Sequence, residues 1–554
     1  MHTSHYPVPT ALDRAKRGAH ADGTRFLSAA LSHLQATIVI MSRQLGRMAL
    51  LPAVCLLMLG ITYDSACAGG PPGQEISLVN ISQTTEFFAT AVPQVAVSRV
   101  DPNLVAVAWR KYGLPINTNA GAAPGERTAE CHVAVSTDGG STFTDTDLTP
   151  ILRQHSDLDL PTQPAPGLFY CNWSWVSIAD DRTIYAGGSM FTPLGDIGWS
   201  GRPSTAPKQG RAMITISWTD GQTWRSLPTL GIKISNFAPG LTGLGCSTVL
   251  PCPITEPWHT PWDNAMGVAS PRSPTFYSMT SGYLVASEYR GAKLFGTVHQ
   301  VNVPGWTFSL GKIDASADML VAPIIASTTP LGATCPCLAV ATSTDKGATW
   351  TAQLLAQAAD FNSSGSGDTA RYPFAAADPN APWKYAVAAY TPDRTSVQVF
   401  ATEDDGATWK RAMVGPVPSD VPAIARAGKI GLGYTNNGNV LVVWRGFYAP
   451  DNPNVPGGPG DFDTFAALMQ GNSFGPTIRV SPVSSRYPIA TTVGSTVPGH
   501  ADYNLNNGGG DFSTWITGND QFALVAFPYA PGGLVLDTYF AKIPLTMMLG
   551  PNTK

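Results

Sequence analysis

The chain has 554 residues, with 34 Lys and Arg against 38 Asp and Glu, giving a formal net charge of −4 at pH 7. Only 13% of residues are charged, and no dense Lys/Arg run occurs, which sets aside a surface that tracks nucleic-acid phosphates. A hydrophobic share of 44% excludes disorder over most of the length, and 55 Gly with 47 Pro describe a folded chain rich in turns.

Residues 1–40 fit no export signal and read as an over-called start or a disordered extension. Residues 41–68 have the layout of a signal peptide: Arg43 and Arg47, an apolar stretch over 48–63, then Ala66 and Ala68 before Gly69. Cleavage there leaves a single domain, 69–554, secreted or periplasmic, with no membrane span. The alternative, a lipid anchor on Cys67, wants an aliphatic residue three places earlier, where Asp64 stands.

After position 70 no long stretch keeps a helical apolar period, whereas short alternating runs recur. The first is EISLVN at 75–80. Strand pairs follow near 93–110, 175–188, 275–290, 372–390, 429–447 and 512–527, and a last strand near 537–543. Between them one motif appears four times. Its copies are Ser136-Thr-Asp138-Gly-Gly140-Ser-Thr142-Phe143, Ser217-Trp-Thr-Asp220-Gly221-Gln-Thr223-Trp224, Ser343-Thr-Asp345-Lys-Gly347-Ala-Thr349-Trp350 and Thr402-Glu-Asp404-Asp-Gly406-Ala-Thr408-Trp409. In such a turn Asp accepts backbone N–H bonds, Gly takes positive φ, Thr fastens the far side and the aromatic ring packs between sheets. In the second copy the Asp stands one place late, at 220.

This motif resembles the Asp-box of the sialidase family and other Asp-box β-propellers. The resemblance implies an all-β propeller, and the box glycines, 81, 126 and 59 residues apart, suit blades of roughly 50 to 80 residues. The expected count is six blades, or seven if residues 225–342 hold two, with EISLVN closing the ring. The resemblance also implies a site of three arginines on a substrate carboxylate, a Tyr activated by Glu, and an Asp acid/base. Arg110, Arg290 and Arg445, each ending a second strand, are the candidate arginines, and Glu288 and Tyr289 stand beside Arg290. The family's Arg-Ile-Pro motif is missing; Ala91-Val-Pro93-Gln94 stands in the corresponding stretch.

Outside the leader the cysteines are Cys131, Cys171, Cys246, Cys252, Cys335 and Cys337, an even number in an exported chain, which favours disulfides. Cys246 with Cys252 and Cys131 with Cys171, leaving Cys335 and Cys337 as a short bridge or two free thiols, is one reading among fifteen possible pairings. No His lies at ligand spacing from these cysteines, so no cofactor or metal residue is named, with Ca²⁺ on Asp451, Asp461 and Asp463 the one alternative. Trp173, Trp175, Trp258, Trp262, Trp383 and Trp444, near loop ends, suit sugar stacking, though most are expected to be buried between sheets. The function expected is a monomer that binds or hydrolyses glycans, a sialidase-like hydrolase or a degenerate relative. The rivals are a non-catalytic carbohydrate- or protein-binding propeller at the cell surface and an Asp-box hydrolase or lyase of neutral polysaccharide.

Overall fold

The computed structural model describes residues 75–83, 88–113, 129–152, 170–191, 210–227, 266–272, 275–280, 283–290, 293–317, 319–362, 374–449, 461–485, 515–531 and 537–550. Its contacts divide the chain between Met1–Pro71 and Pro72–Lys554, and every described element belongs to the second part. The leader, its cleavage point and Cys67 thus lie outside the described residues.

The regular structure of the described residues is almost wholly strand, with two four-residue helical turns, Thr149–Leu152 and Leu545–Met548. After β1 (Ser77–Asn80) come β2 (Phe88–Val97), β3 (Val105–Gly113), β4 (Ala129–Ser136) and β5 (Thr144–Asp147). Then follow β6 (Tyr170–Ile178), β7 (Ile184–Phe191), β8 (Gly210–Ser217) and β9 (Arg225–Leu227). The next group is β10 (Met266–Ala269), β11 (Thr275–Thr280), β12 (Tyr283–Arg290) and β13 (Lys293–Gln300). It is succeeded by β14 (Thr307–Leu310), β15 (Asp314–Ser316), β16 (Met319–Thr328), β17 (Cys337–Ser343) and β18 (Thr351–Ala356). Next come β19 (Phe374–Ala377), β20 (Tyr385–Tyr390), β21 (Val397–Thr402) and β22 (Lys410–Met413). A further group holds β23 (Ile424–Tyr434), β24 (Val440–Tyr448), β25 (Phe462–Gln470), β26 (Ser473–Phe474) and β27 (Ile478–Arg479). The last holds β28 (Trp515–Gly518), β29 (Phe522–Tyr529) and β30 (Asp537–Pro544).

Each group is an antiparallel sheet of about four strands in sequence order. The β2–β5 and β6–β9 groups are joined into one sheet by a parallel bridge between Ala129 and Tyr170. The region 225–342 contains two separate sheets, β10–β13 and the one built on β14–β17. β1 pairs with β30, so the last sheet takes its fourth strand from the start of the described chain.

First strands touch in succession: β2 with β6, β6 with β10, β10 with β15, β15 with β19, β19 with β23, β23 with β28, and β28 with β2. The sequence accounts for the order within each group. Inner strands such as VLVVWRGFY of β24 are buried along their whole length, because each face meets a neighbouring sheet. Alternate residues enter different cores: Val440, Val442 and Trp444 pack with β20 and β21, while Leu441 and Val443 pack with β28–β30. Each such Val or Leu contributes about 1.5–3 kcal/mol on burial. Outer strands β5 (TDTD) and β22 (KRAM) are mostly polar and Ala412 is their one buried residue, which protects the sheet rim from edge pairing.

The four motif copies occupy the turns from third to fourth strand, β4–β5, β8–β9, β17–β18 and β21–β22. Asp345 Oδ1 accepts Thr349 N–H at 2.8 Å, Oδ2 accepts the Thr349 hydroxyl at 2.7 Å, and Ser343 Oγ donates to Oδ1 at 2.8 Å. Asp138 and Asp404 make the same bonds with Thr142 and Thr408. In the second copy Thr219 does this work: its Oγ1 accepts Thr223 N–H at 2.8 Å and meets Thr223 Oγ1 at 2.7 Å. Asp220 therefore does not close its turn; one place out of register, it pairs with Arg182 at 2.8 Å. Gly347, at φ 90°, lies where any Cβ would strike Leu284 of the preceding sheet, so the turn seats sheet against sheet. Trp350 is buried with its Nε1–H on Gly347 O at 2.9 Å, and Trp409 Nε1–H reaches Gln353 of the preceding sheet at 3.0 Å. Trp224, half-buried, donates in the same way to Gly221 O.

Cys335 and Cys337 are joined by a disulfide across Pro336, and Cys131 is also disulfide-bonded. The Cys171 side chain, Cys246 and Cys252 lie outside the described residues.

Candidate functional site

Antiparallel pairing sends the connections alternately to two ends. First-to-second and third-to-fourth turns, the motif turns among them, emerge at one, the turn end. Second-to-third loops and the links between groups emerge at the other, the loop end, and hold most of the long Pro/Gly segments.

At the turn end the structure is tied shut. Arg99, in the β2–β3 turn, donates Nε–H to Asp180 Oδ1 at 2.9 Å and Nη1–H to Asn380 Oδ1 at 2.8 Å, and also meets Pro379 O. One guanidinium thus joins the β2–β3, β6–β7 and β19–β20 turns. Asn380 Nδ2–H continues to Asn436 O at 2.9 Å, and Ser316 Oγ donates to Asp378 O.

The loop end is where first strands begin. Lys312, just before β15, places Nζ 4.7 Å from the ring centre of Phe374 and 4.9 Å from that of Trp515, the first residues of β19 and β28. Those two rings meet edge to face at 5.7 Å. Three sheets therefore contribute one cation and two aromatic rings to a common point. Two residues on from Lys312, Asp314 is half-buried and accepts Ala315 N–H at 2.8 Å and, at the far end of β19 from Phe374, Ala377 N–H at 2.9 Å. Burial pushes its carboxyl up to about 6 against the opposing effect of those two bonds.

β23 carries Arg426 and Lys429 into the same end. A bulge between Gly428 and Gly431 holds Lys429 at φ 53° and turns it out of the ladder. Arg445 on β24 stands opposite Gly428 and Thr464. It is 3% exposed, its guanidinium lies 5.0 Å from the Phe462 ring, and Nε and Nη2 meet no acceptor among the described residues. Burial without a compensating charge lowers its pKa to about 9.

The other expected residues are placed as follows. Arg110 is fully buried on β3 opposite Cys131 and shares its face with Ala106 and Ala108, in the core between the β2–β5 and β6–β9 groups. Arg445 shares its face with Leu441 and Val443, in the core toward β28–β30. The two arginines occupy separate packing layers. Glu288, Tyr289 and Arg290 end β12, which is the third strand of its group and not a second strand, so they lead into the β12–β13 turn at the turn end, with a continuous ladder to β13; their side chains lie outside the described residues.

Asp451 lies outside the described residues, while Asp463 gives its oxygens to protein donors. It accepts the Tyr448 hydroxyl at 2.6 Å, Ser481 Oγ at 2.8 Å, Ser484 Oγ at 2.9 Å and an Nη2–H of Arg479. Asp463 is completely buried and that donor set satisfies it, and Tyr448, 4% exposed, is held well above the usual phenol range by burial and by Asp463. Trp175 and Trp444 are core residues and Trp383 is exposed in the β19–β20 turn. Sequence reasoning missed Lys312, Phe374, Trp515, Asp314 and Lys429, although each opens or interrupts a first strand, the position that a search restricted to second strands passes over.

No family model matches this chain, and no curated protein does. Among solved structures, a protein of unknown function from Dyadobacter fermentans aligns at 13% identity and TM-score 0.37, covering 86% of this chain and 100% of its own. A GH93 α-L-arabinofuranosidase of Fusarium graminearum, in complex with arabinobiose, gives 13% and 0.37, over 85% and 98%. Trypanosoma rangeli sialidase, in complex with sialic acid, gives 10% and 0.35; 85% of this chain aligns with 59% of that one. No described helix is long and apolar enough to cross a membrane.

Proposed function

We propose that residues 69–554 form an exported, monomeric, seven-bladed β-propeller, closed by β1 on the last blade, that engages an anionic glycan at its loop end. The cyclic succession of first-strand contacts, the pairing of β1 with β30 and the motif turns between third and fourth strands support the architecture. One observation carries the functional reading: the buried Arg445 guanidinium, whose Nε and Nη2 meet no acceptor among the described residues. A desolvated cation is costly without an anion, and a sugar carboxylate fits its planar fork. Lys312, Phe374 and Trp515 at the same end supply a cation and apolar rings suited to a carboxylated sugar.

Asp314 favours a second reading, hydrolysis. A carboxyl that holds its proton to about pH 6 is suited to protonate a leaving oxygen, which makes the protein a sialidase-like hydrolase. Titration calorimetry with sialosides and neutral glycosides, alongside fluorogenic substrates of both kinds, tests the two readings. Carboxylated sugars should bind selectively, and Arg445→Met, with its fold checked by circular dichroism, should weaken them about 10- to 100-fold. Equal affinity for neutral sugars, or an unaffected Arg445→Met variant, would overturn the anionic-glycan reading. Turnover that disappears in Asp314→Asn while binding persists would establish the hydrolase.

A further inference from the structure

A cluster on the outer hairpin β4–β5, unrelated to the loop-end site, has the composition of a metal centre. His132 pairs directly with Asp147 across the ladder; Glu130 precedes it by two residues on the same strand face, and Asp145 precedes Asp147 by two on the facing strand. One ligand atom each from Glu130, His132 and Asp147 falls within 4.8 Å of the others. We propose that these three side chains bind a divalent transition metal of the zinc class, with Asp145 orienting the imidazole.

The hydrogen bonds fix the donor set. Asp145 Oδ2 accepts from His132 Nδ1–H at 2.8 Å and Glu130 Oε2 faces Nε2 at 3.2 Å as acceptor of its N–H, so a metal ion at Nε2 would take the place of that proton between the two. A carboxylate on the far nitrogen is the usual support of a metal-bound imidazole. Asp147 is oriented in the same manner, for its Oδ1 accepts Thr149 N–H at 2.8 Å. The Trp109 ring stacks on the imidazole at 4.2 Å and leaves His132 only 6% exposed, so the ligand is held in one orientation. One nitrogen and two carboxylates with open positions suit zinc or its first-row neighbours, whereas Ca²⁺ and Mg²⁺ prefer oxygen alone. Lys111 Nζ, 3.4 Å from Glu130 Oε2, is the cation that the metal would displace. The bound ion would clip the edge strand β5 to β4 at the outer side of their sheet.

The test uses tag-free, full-chain protein stripped with a chelator and titrated calorimetrically with Zn²⁺ and, in parallel, Ca²⁺. One Zn²⁺ per chain and no Ca²⁺ binding is the expected result. His132→Gln and Glu130→Gln should each weaken zinc at least 100-fold, Asp145→Asn should weaken it about 10- to 100-fold, and Lys111→Met should tighten it. Cobalt on the unaltered protein provides a reading independent of variant folding: a ligand-field spectrum without a thiolate charge-transfer band, and quenching of Trp fluorescence that falls in Trp109→Phe. Absence of zinc binding, zinc affinity unchanged in His132→Gln, or a thiolate band would each overturn the proposal.

Discussion

Arg99 and Asp180, 81 positions apart, form a two-pronged ion pair that locks the β2–β3 turn onto the β6–β7 turn, with the same guanidinium reaching the β19–β20 turn at Asn380. Arg99 is 12% and Asp180 33% exposed in their side chains, so the pair is partly screened and its loss costs less than a fully buried one. Arg99→Ala should lower stability by about 2 kcal/mol in urea unfolding. Arg99→Lys should recover less than half, because an ammonium cannot bond two carboxylate oxygens and a second turn together. An unchanged midpoint in Arg99→Ala would show that the turns are held by backbone bonds alone.

The motif aspartates predict an acid limb. Burial would raise Asp345, but the Thr349 N–H and hydroxyl and the Ser343 hydroxyl outweigh it and hold the carboxyl at about 2, below its ordinary 3.8. A depressed folded-state value means the stabilisation is complete above about pH 4 and disappears as pH falls toward 2. Thermal melts of Asp345→Asn should lack that part of the decline. Asp220→Asn should behave differently: its effect should be small, because Arg182 is 42% exposed, and should vanish in an Arg182→Ala background in a double-mutant cycle.

Asp314 has the opposite sign. Its folded-state value of about 6 stands above the ordinary 3.8, so the folded protein holds the proton more tightly and ionisation weakens it. Stability should fall as pH rises from about 4 to 6 and then level off. Asp314→Asn, which keeps an oxygen for the Ala377 N–H, should remove this decline and gain about 1–3 kcal/mol at pH 7 relative to the parent. Parallel melting curves for the two proteins across that window would exclude it.

Alternation and turn chemistry were enough to locate the strands, since alternate residues such as Val442 and Val443 enter different cores and the Asp–Gly–Thr turns leave an unmistakable signature. The double occupancy of 225–342 was ambiguous because β10–β13 lacks the motif altogether. Thr219 was overlooked because a hydroxyl accepts the turn N–H as a carboxylate does, while Asp220 drew attention by residue type. Arg110 and Arg445 are at corresponding strand ends, yet they fall in separate layers, since strand position fixes depth along the sheet and leaves open which wall a side chain meets. Lys312, Phe374 and Trp515, and likewise Arg99 with Asn380, are joined only through the closure of distant sheets, and no local pattern encodes such neighbours.

The pairing of Ser77–Asn80 with Tyr539–Lys542 makes the two extremities of the body partners in one ladder. During synthesis the early strand has no mate until the ribosome has released nearly the whole polypeptide, so the intervening sheets assemble first and the final joint forms last. A chain shortened at either extremity leaves the same seam open. Quality control that senses exposed strand edges would therefore detect truncation at the front and at the back as one defect.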